Sequence, residues 1–164
     1  MDLDLKGKVA LITGPAKGMG AAVSRAFAAE GCRLLLLGRD LAAIAPVDAG
    51  IREAGGTVSV ARCDVTVAED CEAAVAKAQS LFGAVDILVN VAGGTGPIGK
   101  TGAQTTTDEF RDIIDVNMTG CFNMMRAAAP AMMAQRSGKI VNVGGTFGMR
   151  GRAGRVAYSS SKWG

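Results

Sequence analysis

The stretch "KVALITGPAKGMG", Lys8 to Gly20, decides how the rest of the chain is read. "KVALIT" (8–13) is short and apolar enough for a buried strand, and glycines at 14, 18 and 20 lead straight into an alanine-rich run of helical periodicity over about 18–30. A strand that turns on glycines into a helix is the opening unit of a parallel sheet covered by helices. The pattern then recurs. Strands are expected at 33–38 ("RLLLLG"), 57–63, 86–91 and 139–144, and helices at about 41–54, 67–82 and 107–136. The strands are nearly continuous in apolar residues, as strands buried on both faces must be. The expected fold class is α/β, a doubly wound parallel sheet in three αβα layers, forming one domain over 1–164.

Composition narrows what such a domain does. Apolar residues make up 49% and charged residues 20% of the 164, and the net charge is only +3, so no nucleic-acid partner is implied. The chain has no histidine, which excludes His-based triads and His metal ligands. Cys32, Cys63, Cys71 and Cys121 stand far apart with no C-x-x-C pair; neither a metal site nor a disulfide framework is expected, and reduced thiols fit a cytoplasmic protein. The amino terminus "MDLDLKGK" lacks the order of a secretory signal, and no apolar run approaches the ~20 residues of a membrane span. Arg150, Arg152 and Arg155 read as a solvated, glycine-spaced loop, with contact to an anion as the alternative.

Within the helices, Val67, Cys71, Ala74, Val75, Ala78 and Phe82 form the apolar stripe of the third. The long pattern over 107–136 is expected to be two helices meeting near Asp115 to Asn117, and Pro130 to bend the second or mark its last turns. Two glycine-rich patches, "GGTGPIGKTG" (93–102) and "GGTFGMRGRAG" (144–154), each follow a strand, where open α/β sheets bind ligands.

The loop "TGPAKGMG" (13–20) has the glycines a dinucleotide needs. Gly14 permits a tight turn, Gly18 lets the backbone approach a pyrophosphate, and Gly20 lets the helix pack closely on the sheet. Gly14, Ala16, Lys17, Gly18, Met19 and Gly20 are the candidate contacts. At the end of the second strand the register puts Gly38 where a ribose-selecting carboxylate would sit, with Arg39 beside it and Lys17 facing the same corner. Both cations favour the 2′-phosphate of NADP(H). NAD(H) is the alternative, if Asp40 were to reach the ribose instead of capping the helix from Leu41.

Together these residues resemble the short-chain dehydrogenase/reductase family. "TGPAKGMG" is similar to its TGxxxGxG loop, "CDVT" (63–66) to its adenine-side motif, "NVAG" (90–93) to its NNAG, "DVNMTG" (115–120) to its helix asparagine segment, and "YSSSK" (158–162) to its YxxxK. The resemblance implies a Rossmann-type fold. It implies that Asp64 and Val65 lie on the adenine side and that Asn90, Ala92 and Gly93 line the cofactor. It also implies that Asn117 supports a proton relay through a water and Lys162, and that Tyr158 exchanges a proton with a carbonyl or alcohol oxygen. Lys162 would also hold the nicotinamide ribose. The spacing agrees, because residues i and i+4 share a helix face, and a cation beside a phenol favours the ionised form a proton-exchanging group uses.

Two features depart from the family pattern. Where the family has a serine that donates to the substrate oxygen, this chain has Gly145; Thr146 is the candidate substitute donor, with the Gly145 backbone N–H or room for a bulkier substrate as alternatives. Family members also continue past YxxxK with further strands, so the sequence is expected to be part of a longer chain or a fragment. The function implied is NADP(H)-dependent interconversion of a ketone and a secondary alcohol (3-oxoacyl, sugar, cyclic or steroid-like) by a homo-oligomer, a dimer or tetramer. The alternatives are a non-catalytic NADP(H)-binding module, pseudoenzyme or fragment, and an interaction protein using the 107–136 helices.

Overall fold

The computed structural model describes residues 3–164. Strands β1 (Val9–Thr13), β2 (Arg33–Gly38), β3 (Thr57–Arg62), β4 (Ile87–Asn90) and β5 (Lys139–Asn142) form one parallel sheet in the order β3-β2-β1-β4-β5. The helices are α1 (Gly18–Ala29), α2 (Leu41–Glu53), α3 (Ala68–Phe82), α4 (Thr107–Ile114), α5 (Gly120–Gln135) and α6 (Val156–Trp163). The order steps outward from β1 in one direction to β3, then restarts on its other side with β4. The carboxyl ends of β1 and β4 therefore flank a topological switch point, where such sheets open a crevice.

Alternation along the central strands divides the core in two. Val9, Leu11, Leu35, Leu37 and Leu88 pack under α3 and α5 with Cys71, Val75, Ala78, Met124 and Ala128. Ala10, Ile12, Leu34, Leu36 and Val89 pack under α1 and α2 with Ala21, Ile44, Val47 and Ile51. These are the three expected layers. Burying a Leu or Ile side chain is worth about 1.5–3 kcal/mol, so the fully buried leucines of β2 are a large part of what holds the sheet. β3 and β5 are the edge strands, and the four residues of β5 are exposed.

Most expected boundaries hold to within one or two residues. Val67 departs from its expected place in the α3 stripe: it is the N-cap, outside the helix and exposed. The expected break in the long helix is a π-turn, Asp115–Thr119, in which the Gly120 N–H donates to the Asp115 carbonyl five residues back. α5 runs through Pro130 to Gln135. No helix among the described residues is long and apolar enough to cross a membrane.

Candidate functional site

The β1–α1 loop is built on its own backbone. Gly14 has φ +64°, and a Cβ there would come 2.8 Å from the Cα of Ala92, so the loop and the segment after β4 touch main chain to main chain. A Cβ on Gly20 would fall on the Gly14 carbonyl oxygen. Gly20 is thus required by the loop's own turn, not by helix-on-sheet packing as the sequence suggested. Gly18 (φ +52°) faces open space, and Lys17 and Met19 are exposed at the start of α1, where the Lys17 side chain makes no capping hydrogen bond. Thr13, a residue sequence reasoning did not single out, ties this loop across the switch point. Its buried hydroxyl oxygen accepts from the N–H groups of Val91 (3.1 Å) and Ala92 (3.0 Å).

Beside the loop is a cleft of about 150 Å³ lined by Gly14, Gly38, Arg39, Cys63, Asp64 and Val65 on one side and by Ala92, Gly93 and Val116 on the other. β2 ends at Gly38, as the register required. Arg39 extends from the strand end, exposed, with its guanidinium 3.9 Å from the Asp64 carboxylate. Asp40 caps α2, accepting from the Ala43 N–H at 3.1 Å. Burial pushes the Asp64 carboxyl up, but the hydroxyl and N–H of Thr66 and the nearby Arg39 and Arg62 outweigh it, and its pKa lies below the ordinary carboxylate value. Asn90, expected among the cofactor residues, is not in this lining. It is buried under the β4–β5 seam, where its Nδ2 donates to Asn142 Oδ1 at 2.9 Å and its Oδ1 has no partner among the described residues.

Gly93 joins this cleft to the second half of the site: a Cβ on it would lie 2.8 Å from Asn117 Oδ1 and 3.9 Å from Lys162 Nζ. The π-turn presents Asn117 inward, 7% exposed. Its Oδ1 accepts from the Gly94 N–H at 2.7 Å, and its Nδ2 donates to the Gly94 carbonyl at 3.0 Å and to Ser161 Oγ at 2.8 Å. Ser161, also missed from sequence, donates in turn to the Tyr158 carbonyl at 2.8 Å. A buried hydrogen-bond chain therefore runs from the loop after β4, through the π-turn, to α6.

Tyr158 and Lys162 share the inner face of α6. The Lys162 ammonium donates to the Val143 carbonyl at 3.0 Å and lies 6.0 Å from the Tyr158 ring centroid; burial holds its pKa below the usual lysine value. It borders a pocket of about 320 Å³ with Asn117, Cys121, Asn142 and Val143. Burial raises the Cys121 thiol, which donates to Asn142 Oδ1 at 3.1 Å. The Tyr158 hydroxyl faces Gly145, where a Cβ would be 3.2 Å from it. Thr146 is exposed and opens a short 3₁₀ turn, Thr146–Gly148.

Arg155 departs from the solvated-loop expectation. Its guanidinium is stacked 4.8 Å from the Tyr158 ring centroid and 5.9 Å from that of Phe147, and its Nη2 donates to the Thr95 carbonyl at 3.1 Å. Arg152 sits over Phe147 at 5.2 Å, while Arg150 is exposed.

A glycine-built loop at the switch point of a parallel sheet, joined through Gly93 to the pocket that Lys162 borders, defines a class of Rossmann-like α/β proteins. The short chain dehydrogenase family profile matches residues 8–164, and the chain belongs to that family. It is 36% identical over 155 residues to a 3beta-hydroxysteroid dehydrogenase of Mediterraneibacter gnavus, covering 94% of this chain and 55% of that protein. A crystal structure of a metagenomic short-chain oxidoreductase in complex with NADP superposes with TM-score 0.92 at 34% identity, covering 98% of this chain and 72% of that one. NAD+-bound xylitol dehydrogenase superposes with TM-score 0.93 at 32% identity, covering 97% and 61%. The chain spans from 55% to 64% of the length of the curated relatives it matches.

Proposed function

We propose that the chain carries the cofactor half and the proton-transfer residues of an NADP(H)-dependent oxidoreductase that interconverts a ketone and a secondary alcohol. The observation that carries this is the continuity at Gly93, which sets the loop-and-cleft half against Asn117, Tyr158 and Lys162. The residues fit a dinucleotide. Gly14, Ala16, Lys17, Gly18, Met19 and Gly20 offer a backbone cradle at the start of α1, suited to a pyrophosphate. Asp64, Val65, Ala92 and Gly93 line the adenosine side, and Arg39, with Lys17 exposed at the start of α1 as a second cation, suits a 2′-phosphate. The cap formed by Asp40 supports NADP(H) over NAD(H), since that carboxylate is engaged elsewhere. Asn90 supports the wall from behind.

When bound, the nicotinamide supplies or takes the hydride. Tyr158 holds the proton exchanged with the substrate oxygen at its hydroxyl. Lys162 keeps a positive charge on the same helix face, and the pocket it shares with Asn117 has room for a water to reload the proton. Asn117 supports that arrangement by fixing Gly94 and α6. Thr146, or the Gly145 N–H, donates to the substrate oxygen in place of the family serine.

The substrate class follows the relatives only to the level of a carbonyl or alcohol; 3-oxoacyl, sugar, cyclic and steroid-like ketones belong to the same reading. So do a reduced, cytoplasmic setting, which free Cys32, Cys63, Cys71 and Cys121 fit, and homo-oligomerisation through α4 and α5, where Phe122 and Met133 are exposed. The test is NADPH-dependent reduction of a ketone panel by the chain and by Tyr158→Phe. Turnover confined to the parent supports the proposal; equal turnover in both sinks it. The second reading, a non-catalytic NADP(H)-binding module, rests on Gly145: nucleotide binding with no turnover on any ketone would establish it.

A further inference from the structure

The cation nearest the Tyr158 ring is Arg155, not Lys162: 4.8 Å against 6.0 Å to the same centroid. Arg155 stands at the N-cap of α6, where its carbonyl accepts from the Ser159 N–H at 2.8 Å. Its guanidinium reaches back to the loop after β4 through Thr95, and the two loops are joined beside it by the Gly99 N–H donating to the Gly154 carbonyl at 3.0 Å. Phe147 closes the other side, its ring edge-on to Tyr158 at 6.1 Å and 84°. Arg155 Nε is buried without a hydrogen-bond partner among the described residues. Such a group keeps its place only if other contacts offset its dehydration, and the bond from Nη2 to Thr95 and the Tyr158 and Phe147 rings supply them. A planar, weakly hydrated guanidinium suits this; an ammonium does not stack in the same way.

We propose that Arg155, anchored on the Thr95 carbonyl, is a positioning residue for Tyr158, holding the phenol ring beside Phe147 so that its hydroxyl stays against Gly145. Glycine at 145 brings no side chain to restrain that hydroxyl, and Arg155 restrains the ring from its face. The role of Tyr158 in proton transfer is taken from the proposed function; the restraint itself is not, and the two are tested separately.

The experiment compares the chain with Arg155→Met, which keeps an apolar stem and loses the cation, and with Arg155→Lys. Tyr158 is the only tyrosine of the 164 residues, so the ring resonances of 13C-tyrosine-labelled protein, identified by their loss in Tyr158→Phe, read its environment without turnover. Nucleotide affinity and kcat are measured on the same samples. In Arg155→Met the ring resonances shift and sharpen as the ring gains freedom, and the nucleotide Kd stays within about twofold. On any ketone the parent reduces, kcat falls by about 3–30-fold, the scale of a desolvated cation–ring contact. Arg155→Lys recovers part of both effects. Unchanged Tyr158 resonances in a folded Arg155→Met overturn the proposal. If Arg155→Met does not fold, Arg155→Lys decides: resonances identical to the parent overturn it, and displaced ones uphold it. A parent that turns over no ketone defeats the proposed function yet leaves the resonance result to decide Arg155.

Discussion

Tyr158 and Gly145 face each other closely: a Cβ on residue 145 would begin 3.2 Å from the phenol oxygen, so a side chain there would start in contact with the hydroxyl. A proton-exchanging group of this kind contributes about 10²–10⁴-fold, so Tyr158→Phe is expected to lower kcat by that range while the NADPH Kd stays within a few fold. If Thr146 is the substitute donor, Thr146→Ala lowers the single-turnover rate by about 10²-fold or more; a rate within a few fold of the parent removes Thr146 from that role. Asp64 makes a prediction of a different kind. Its folded-state pKa is depressed, so it contributes stability that is present above its ordinary value and lost as pH falls through the depressed one. Asp64→Asn is therefore less stable than the parent at pH 7, and the gap between their denaturation midpoints closes toward acid. A gap that widens toward acid contradicts the assignment.

Among the elements, the π-turn makes the sharpest prediction. Asn117→Ala leaves the partly buried N–H and carbonyl of Gly94 without their side-chain partner, while Ser161 keeps its bond to the Tyr158 carbonyl, and a buried polar group left unpaired costs about 1–3 kcal/mol. Urea denaturation should show a loss of at least about that size; an unchanged midpoint would mean the chain from Gly94 to Tyr158 carries no load. That a break falls near Asp115 to Asn117 was legible, because the helical pattern over 107–136 is too long to be one ordinary helix. Its π register was not, since the i to i+5 bond depends on where Gly94 and Ser161 lie in space. Likewise the glycines of the first loop announced a turn, but the contact that requires Gly20 is with Gly14, inside the loop. Gly20→Ala is expected to abolish nucleotide binding by opening that turn, even though alanine is the better helix former.

For the whole molecule, the alternation of apolar runs and helical stretches made the three-layer parallel sheet readable, because every βαβ unit carries its own periodicity. What the sequence hid are relations between distant segments. Three glycine-spaced arginines look alike in one dimension, and only the sheet brings Phe147, Tyr158 and Thr95 around one of them. Asn90 sits in a cofactor motif by sequence, yet the parallel pairing of β4 with β5 turns its amide onto Asn142. Arg39 and Asp40 were separable because strand β2 ends at Gly38 and leaves Asp40 to cap α2. Titrating the chain with NADPH and with NADH and following nicotinamide fluorescence, in the parent and in Arg39→Ala, decides whether the switch-point cleft takes NADP(H). NADPH is expected to bind about tenfold or more tightly than NADH, and Arg39→Ala to remove most of that difference. NADH binding as tightly as NADPH in the parent, or neither binding, would contradict that reading.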